Sequence, residues 1–360
     1  IVGGPADTWG RAWSADEFSD DNFRVRLELS ADAPARDFYL DWVAVQVTYN
    51  RSPAAPINQA PAGDSFTASG NPSFAWSAFS DPDPGDTQIA LQVQLRTEPG
   101  TYDGAGSADS GPVDGAADAY TPEAWDLESG AYCWHARVQD SSGAANAWSE
   151  YSADTCFSVD RIAPASSATS PEYANGASIP VDWTAGDNAG GSGLSGVVLW
   201  YRLDDGAWTD SGMTQPGSSG SFDFVPPGGT DGTYYFYTMA ADEVGNFEAA
   251  PEGDGDDSTV YDTTPPASQA VPPAGPIGEA PIAVPWTAED ALSGIATDGV
   301  PLRYSYNRAE YVDGPTDTGT SATFEIDPSG GGGTYFFYTV ATDSAGNVEA
   351  PPEGPDGDGC

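Results

Sequence analysis

The 360-residue sequence predicts an all-β chain of tandem β-sandwiches preceded by a partial β domain. Residues 232–253, GTYYFYTMAADEVGNFEAAPEG, return about a hundred residues later at 333–354 as GTYFFYTVATDSAGNVEAPPEG, and a weaker copy, GAYCWHARVQDSSG, stands at 130–143. Repetition at that interval marks a string of similar domains. Each copy is a run of β-favouring residues that ends in Asp and enters a turn, which is the pattern of one long strand opening a hairpin. The 43 Gly and 31 Pro have no collagen period and separate the strand-like runs, while 12% aromatic residues supply core.

Taken in order, residues 1–50 contain two strand patterns, FRVRLEL at 23–29 and FYLDWVAVQVTY at 38–49. Two strands alone are marginal, so 1–50 reads as a partial domain completed by upstream residues or by a neighbouring subunit. A Pro- and Ala-rich linker follows, and residues 51–160 form the first full sandwich. Its inward positions are Phe74 and Trp76, then Leu91, Val93 and Leu95, then Tyr132, Trp134, Ala136 and Val138, closed by Phe157 and Val159. Pro-rich junctions open the domains at 161–262 and 263–360, where Ile179, Val181, Trp183 and Ile282, Val284, Trp286 repeat one alternation. Trp76, Trp183 and Trp286 are therefore equivalent core residues, opposite Tyr132, Trp134, Tyr234, Phe236, Tyr335 and Phe337. Further strands are read at 197–201, 302–306, 222–225 and 324–326. Such a density of short strands without a helix is a sandwich. The closing strand at 258–262 has an equivalent that would begin near Cys360. That leaves three readings open: a segment of a longer protein, subunits that complete one another by strand exchange, or a different last strand.

The same alternation places Cys133 and Cys156 on the outward face of adjoining strands, where they can oppose each other. A Cys133–Cys156 disulfide is expected, contributing about 3 kcal/mol by loop closure and implying an oxidising compartment. Cys360 is left unpaired or available for an intermolecular bond.

Fifty-five acidic residues against 11 basic ones, all arginine, give a formal net charge of -44. Nucleic acid and anionic lipid surfaces are therefore poor partners, and no apolar run is long enough to span a membrane. The opening IVGG is shared with the mature start of trypsin-like proteases, but the single histidine, His135, sits in a strand and no serine has a nucleophile setting. No catalytic constellation is found and no cofactor is required. Carboxylates gather after the second strand and after the repeat strand: Asp182, Asp187, Asp242 and Glu243 in one domain, Glu289, Asp290 and Asp343 in the next. Calcium is the hard cation such oxygens hold; two further acidic turns lie at 81–86 and 254–257.

Alternation also directs Tyr235, Tyr237 and Met239, and in the last domain Phe336 and Tyr338, away from the core. With Trp200 and Trp208 they mark either a face covered by neighbouring strands or an interface with a domain or subunit. The junction TPPAS, W-T-A-x-D, L-W-Y-R, and G-T-Y-Y-F-Y followed by D-x-x-G-N-x-E-A together resemble bacterial immunoglobulin-like or fibronectin type III-like repeats. Such repeats belong to large secreted and cell-surface proteins. The resemblance implies an extracellular structural role, as a surface stalk or filament subunit whose partners are copies of itself or adjoining domains. An adhesin module for carbohydrate or protein, and a non-catalytic spacer of a secreted enzyme, are the alternatives.

Overall fold

The computed structural model describes residues 49–328 and 331–359. The strand pair expected in the first fifty residues, up to Val47 and Thr48, and Cys360 lie outside the described residues. The chain forms two compact units, one ending at Val159 and one beginning at Asp160. The first contains one described sandwich, and the second contains two.

Each sandwich sets a three-stranded sheet against the sheet that carries the repeat strand. In the second, Ala165–Thr169, Ile179–Gly186 and Ser219–Phe224 form one layer; Tyr173–Ala174, Asp257–Tyr261, Gly232–Asp242, Leu194–Leu203 and Thr209–Gln215 form the other. This strand order is that of an immunoglobulin-like or fibronectin type III-like sandwich. Alternation decides the facing. Along Ile179–Gly186, Ile179, Val181 and Trp183 are buried while Pro180, Asp182 and Thr184 are exposed. Trp183 then stacks on Phe222 with centroids 6.0 Å apart, and Trp286 stacks on Phe324 at 5.6 Å.

Trp76, Trp134, Tyr132, Tyr234, Phe236, Tyr335 and Phe337 all lie in these cores. A buried tyrosine must satisfy its hydroxyl: Tyr132 Oη donates to the Glu128 carbonyl and Tyr234 Oη to the Thr230 carbonyl. Both bonds reach back over the corner that feeds the repeat strand, pinning its entry.

Cys133 and Cys156 are directly opposed on adjacent strands and joined by a disulfide. The strands Thr209–Gln215 and Val312–Asp317 were not legible in the sequence, because TDSGMTQ and VDGPTD lack an apolar alternation. Near the end of the described chain, Phe337 N–H donates to the Gly359 carbonyl and Asp358 N–H to the Phe337 carbonyl, which begins a pairing like that of Phe236 with Asp257.

Of the two readings of the outward aromatic stripe, cover within the domain holds at two positions, and the interface reading is corrected there. Tyr237 is only 3% exposed and Phe336 only 5%. Trp200 lies parallel to Tyr237 at 5.8 Å and Trp208 meets it edge-on at 4.6 Å, while the Arg308 guanidinium covers Phe336 at 5.2 Å. A neighbouring strand and adjoining turns therefore bury these rings within their own domain. Tyr235, Met239, Trp200, Trp208 and Tyr338 remain half-buried. Among the described residues, no helix is long and apolar enough to cross a membrane.

Candidate metal centres

The repeat strand ends in an aspartate whose carboxylate closes the following turn. Asp242 Oδ1 accepts N–H bonds from Val244 and Asn246, and its Oδ2 accepts from Asn246 Nδ2 at 2.6 Å. Gly245 supplies the positive φ of 89° that this tight return requires. Asn246 Nδ2 also donates to the carbonyl of Asp160, which follows the closing strand of the first sandwich. The third sandwich repeats the arrangement. Asn347 Nδ2 donates to Asp343 Oδ2 at 2.8 Å and to the Asp262 carbonyl at 2.7 Å. In the first sandwich Asn146 Nδ2 donates to the Asn50 carbonyl, so Asn50, Asp160 and Asp262 occupy equivalent places.

These locks gather carboxylates. Asp160, Asp187 and Asp242 bring one oxygen each within 4.8 Å of the others, as do Asp262, Asp290 and Asp343, and Asp81, Asp86 and Asp140. Asp140, Asp160, Asp242, Asp262 and Asp343 are buried. Burial works to raise the Asp160 pKa, but N–H bonds from Ser192 and Ile162 and side-chain bonds outweigh it and hold the carboxyl below its ordinary range. Asp86 moves the other way, pushed up by burial and then by Asp140, Asp81 and Asp83. At an effective dielectric of 20, two charges at such a separation repel by roughly 3 kcal/mol. Backbone N–H groups offset part of this, as at Asp187, which accepts from Gly193 N–H, and Asp290, which accepts from Gly294 N–H. A hard divalent cation would offset the rest, and clustered carboxylate oxygens are its ligand type.

Of the residues expected to ligate, Asp187, Asp242, Asp290 and Asp343 enter clusters. Asp182, Glu243 and Glu289 do not: all three are exposed, Asp182 and Glu289 because they stand on outward positions of their strands. Asp160 and Asp262 were missed. The available signal was their place after a closing strand and before a Pro-containing linker, as in SVDRIAP and VYDTTPP. The acidic turn at 254–257 has another task. Asp256 Oδ2 accepts the N–H groups of Ala168 and Thr238, and Asp358 repeats this with Ala270 and Thr339.

The last letter of D-x-x-G-N-x-E is also architectural. Glu248 accepts from Ser166 N–H, Ser166 Oγ and Ala240 N–H, tying an outer strand to the repeat strand. Glu349 does the same with Ser268 and Ala341.

His135 lies on the outward face of its strand, stacked between Tyr102 at 3.8 Å and Tyr151 at 4.0 Å. Arg137 continues this ladder, 4.6 Å from both Tyr151 and Trp148. Sequence reasoning missed it, although W-S-E-Y-S at 148–152 carried a signal. Ser149 and Ser152 each exchange two bonds with the repeat strand, at Val138 and Ala136, and this alternation aims Trp148 and Tyr151 at Arg137.

No family model matches the chain. A stretch of 234 residues, 61% of this chain, is 31% identical to Exoglucanase B of Cellulomonas fimi and spans 19% of that protein. The chain thus corresponds to about a fifth of that relative's length. Among solved structures, the FN1–FN3 domains of chicken CNTN1 are 12% identical with a TM-score of 0.28, covering 85% of this chain and 97% of theirs. A multidomain segment of titin is 13% identical with a TM-score of 0.33, covering 83% and 94%.

Proposed function

We propose that the chain is a non-catalytic spacer of a secreted multidomain protein, and that calcium at its sandwich junctions sets its stiffness. The observation that carries this is the repeated junction. Asn246 and Asn347 each clamp the backbone of the incoming linker, and each clamp sits beside a three-carboxylate cluster to which that linker contributes one member. A cation bridging Asp160, Asp187 and Asp242 would tie the linker to two turns of the second sandwich at once; Asp262, Asp290 and Asp343 would do so for the third. Without it, mutual repulsion favours opening of the junction.

Three further observations support the spacer. A match confined to a fifth of an enzyme's length is what a shared accessory region produces. The Cys133–Cys156 disulfide suits an oxidising compartment. The acidic surface keeps neighbouring chains apart in solution, favouring a spacer over a filament.

The test uses the full chain, measuring thermal unfolding and maximum dimension by X-ray scattering as calcium is added after chelation. Binding at 100 times the dissociation constant stabilises by about 2.7 kcal/mol per site, so the midpoint of the 160–360 unit should rise. Asp242→Asn with Asp343→Asn should remove most of that rise. An unchanged midpoint and dimension would defeat the calcium reading, and regular fibres in electron micrographs would replace the spacer with a filament subunit.

A further inference from the structure

We propose that Asn175 is a site of spontaneous deamidation, placed where the second and third sandwiches touch. The inference is independent of cation binding. Asn followed by Gly occurs once in the sequence, at Asn175 and Gly176. A side-chain amide is open to attack by the next backbone nitrogen, and a glycine, lacking Cβ, leaves that approach unhindered. Both residues are exposed, just beyond the short strand Tyr173–Ala174. Among the described residues, no acceptor takes the Gly176 N–H, so hydroxide can reach it.

The atoms balance without any oxidant or reductant. Hydroxide takes the Gly176 amide proton and becomes water, the nitrogen bonds to Asn175 Cγ, and the Cγ–Nδ2 bond breaks as Nδ2 takes a proton from water and leaves as ammonia, which regenerates hydroxide. Water then opens the resulting five-membered succinimide at one of its two carbonyls, giving aspartate or isoaspartate at position 175. Either product carries a new negative charge.

The position gives the change a structural consequence. Asn175 Nδ2 donates to Asn347 Oδ1 at 3.1 Å, and Asn347 is the residue that clamps Asp262 and Asp343 in the third sandwich. A carboxylate at 175 has no proton to give Asn347 Oδ1 and repels it instead. Isoaspartate also inserts a backbone methylene between the Ala174 carbonyl, which accepts from Asp262 N–H, and the Gly176 carbonyl, which accepts from Tyr261 Oη. Ageing at this residue therefore acts on the contact between the two sandwiches.

The test incubates the folded chain at mildly alkaline pH and maps peptides by mass. The peptide containing Asn175 should gain about 1 Da and resolve into aspartate and isoaspartate forms. Gly176→Ala is the matched control: a Cβ there meets Ser178 O at 3.6 Å, an ordinary contact, so the variant should fold and convert far more slowly. Two results would overturn the proposal. One is an unchanged Asn175 peptide in the folded chain under conditions where the urea-unfolded chain converts. The other is equal conversion in Gly176→Ala, which would exclude the Gly176 nitrogen as nucleophile.

Discussion

Replacing Glu248 with alanine tests whether the repeated D-x-x-G-N-x-E motif is architecture. The carboxylate accepts from Ser166 N–H at 2.8 Å, from Ala240 N–H at 3.0 Å and from Ser166 Oγ. Ala240 is fully buried, so its N–H would be left without water or partner, at a cost of about 2 kcal/mol. Ser166 lies on an outer strand where water can replace the lost acceptor, and solvent screening limits that part to roughly 1 kcal/mol. The sum, about 3 kcal/mol, corresponds to a fall of at least about 12 °C in the unfolding midpoint of a domain of this size. Calorimetry on the full chain reads it, with Glu349→Ala identifying the transition of the third sandwich. Amide exchange at Ala240 and Ser166 should quicken together. Glu248→Gln, which keeps one acceptor oxygen, should lose less. A midpoint for Glu248→Ala that stays at the parent value would refute the reasoning and return the glutamate to the pool of solvated surface acids.

Two more outcomes are expected. Tyr237→Ala should destabilise the second sandwich by roughly 3 kcal/mol, because it removes a buried ring from beneath Trp200 and Trp208, while sedimentation shows no change in association state. Burial lowers the His135 pKa below its ordinary 6.5, against the opposing pull of Asp154. The unfolded chain then binds a proton more readily than the folded one, so the first sandwich should keep full stability above about pH 6.5 and lose it as pH falls, a slope that His135→Gln flattens in pH-resolved unfolding.

The fold class could be read from the chain because its signals are local. Alternation of period two, as in Ile179, Val181 and Trp183, states which side chains must leave water, and recurrence of the pattern with Trp286 states how many times the unit is built. The same parity rule placed Cys133 opposite Cys156. It also put Tyr237 and Phe336 on the side away from the core, but parity names a side of the strand and says nothing of what covers that side. The covering groups arrive from elsewhere in the domain: Trp200 from the adjacent strand, and Trp208 and Arg308 from the turns that follow the strands Leu194–Leu203 and Val300–Tyr306. The Thr209–Gln215 strand was invisible for a related reason: pairing with its neighbour holds it, with little apolar pattern of its own.

The acidic residues divide in the same way. Sequence alone determined that carboxylates crowd the turns after the second and repeat strands, since the residues that build those turns recur in D-x-x-G-N. Only the tertiary structure decided which of them meet. Asp160 and Asp187 share a cluster with Asp242 because Asn246 draws in a linker that is remote in sequence, while Asp182 and Glu243, close in sequence to cluster members, are exposed. A strand's period is a property of neighbouring residues. A cluster depends on where distant backbones are pinned.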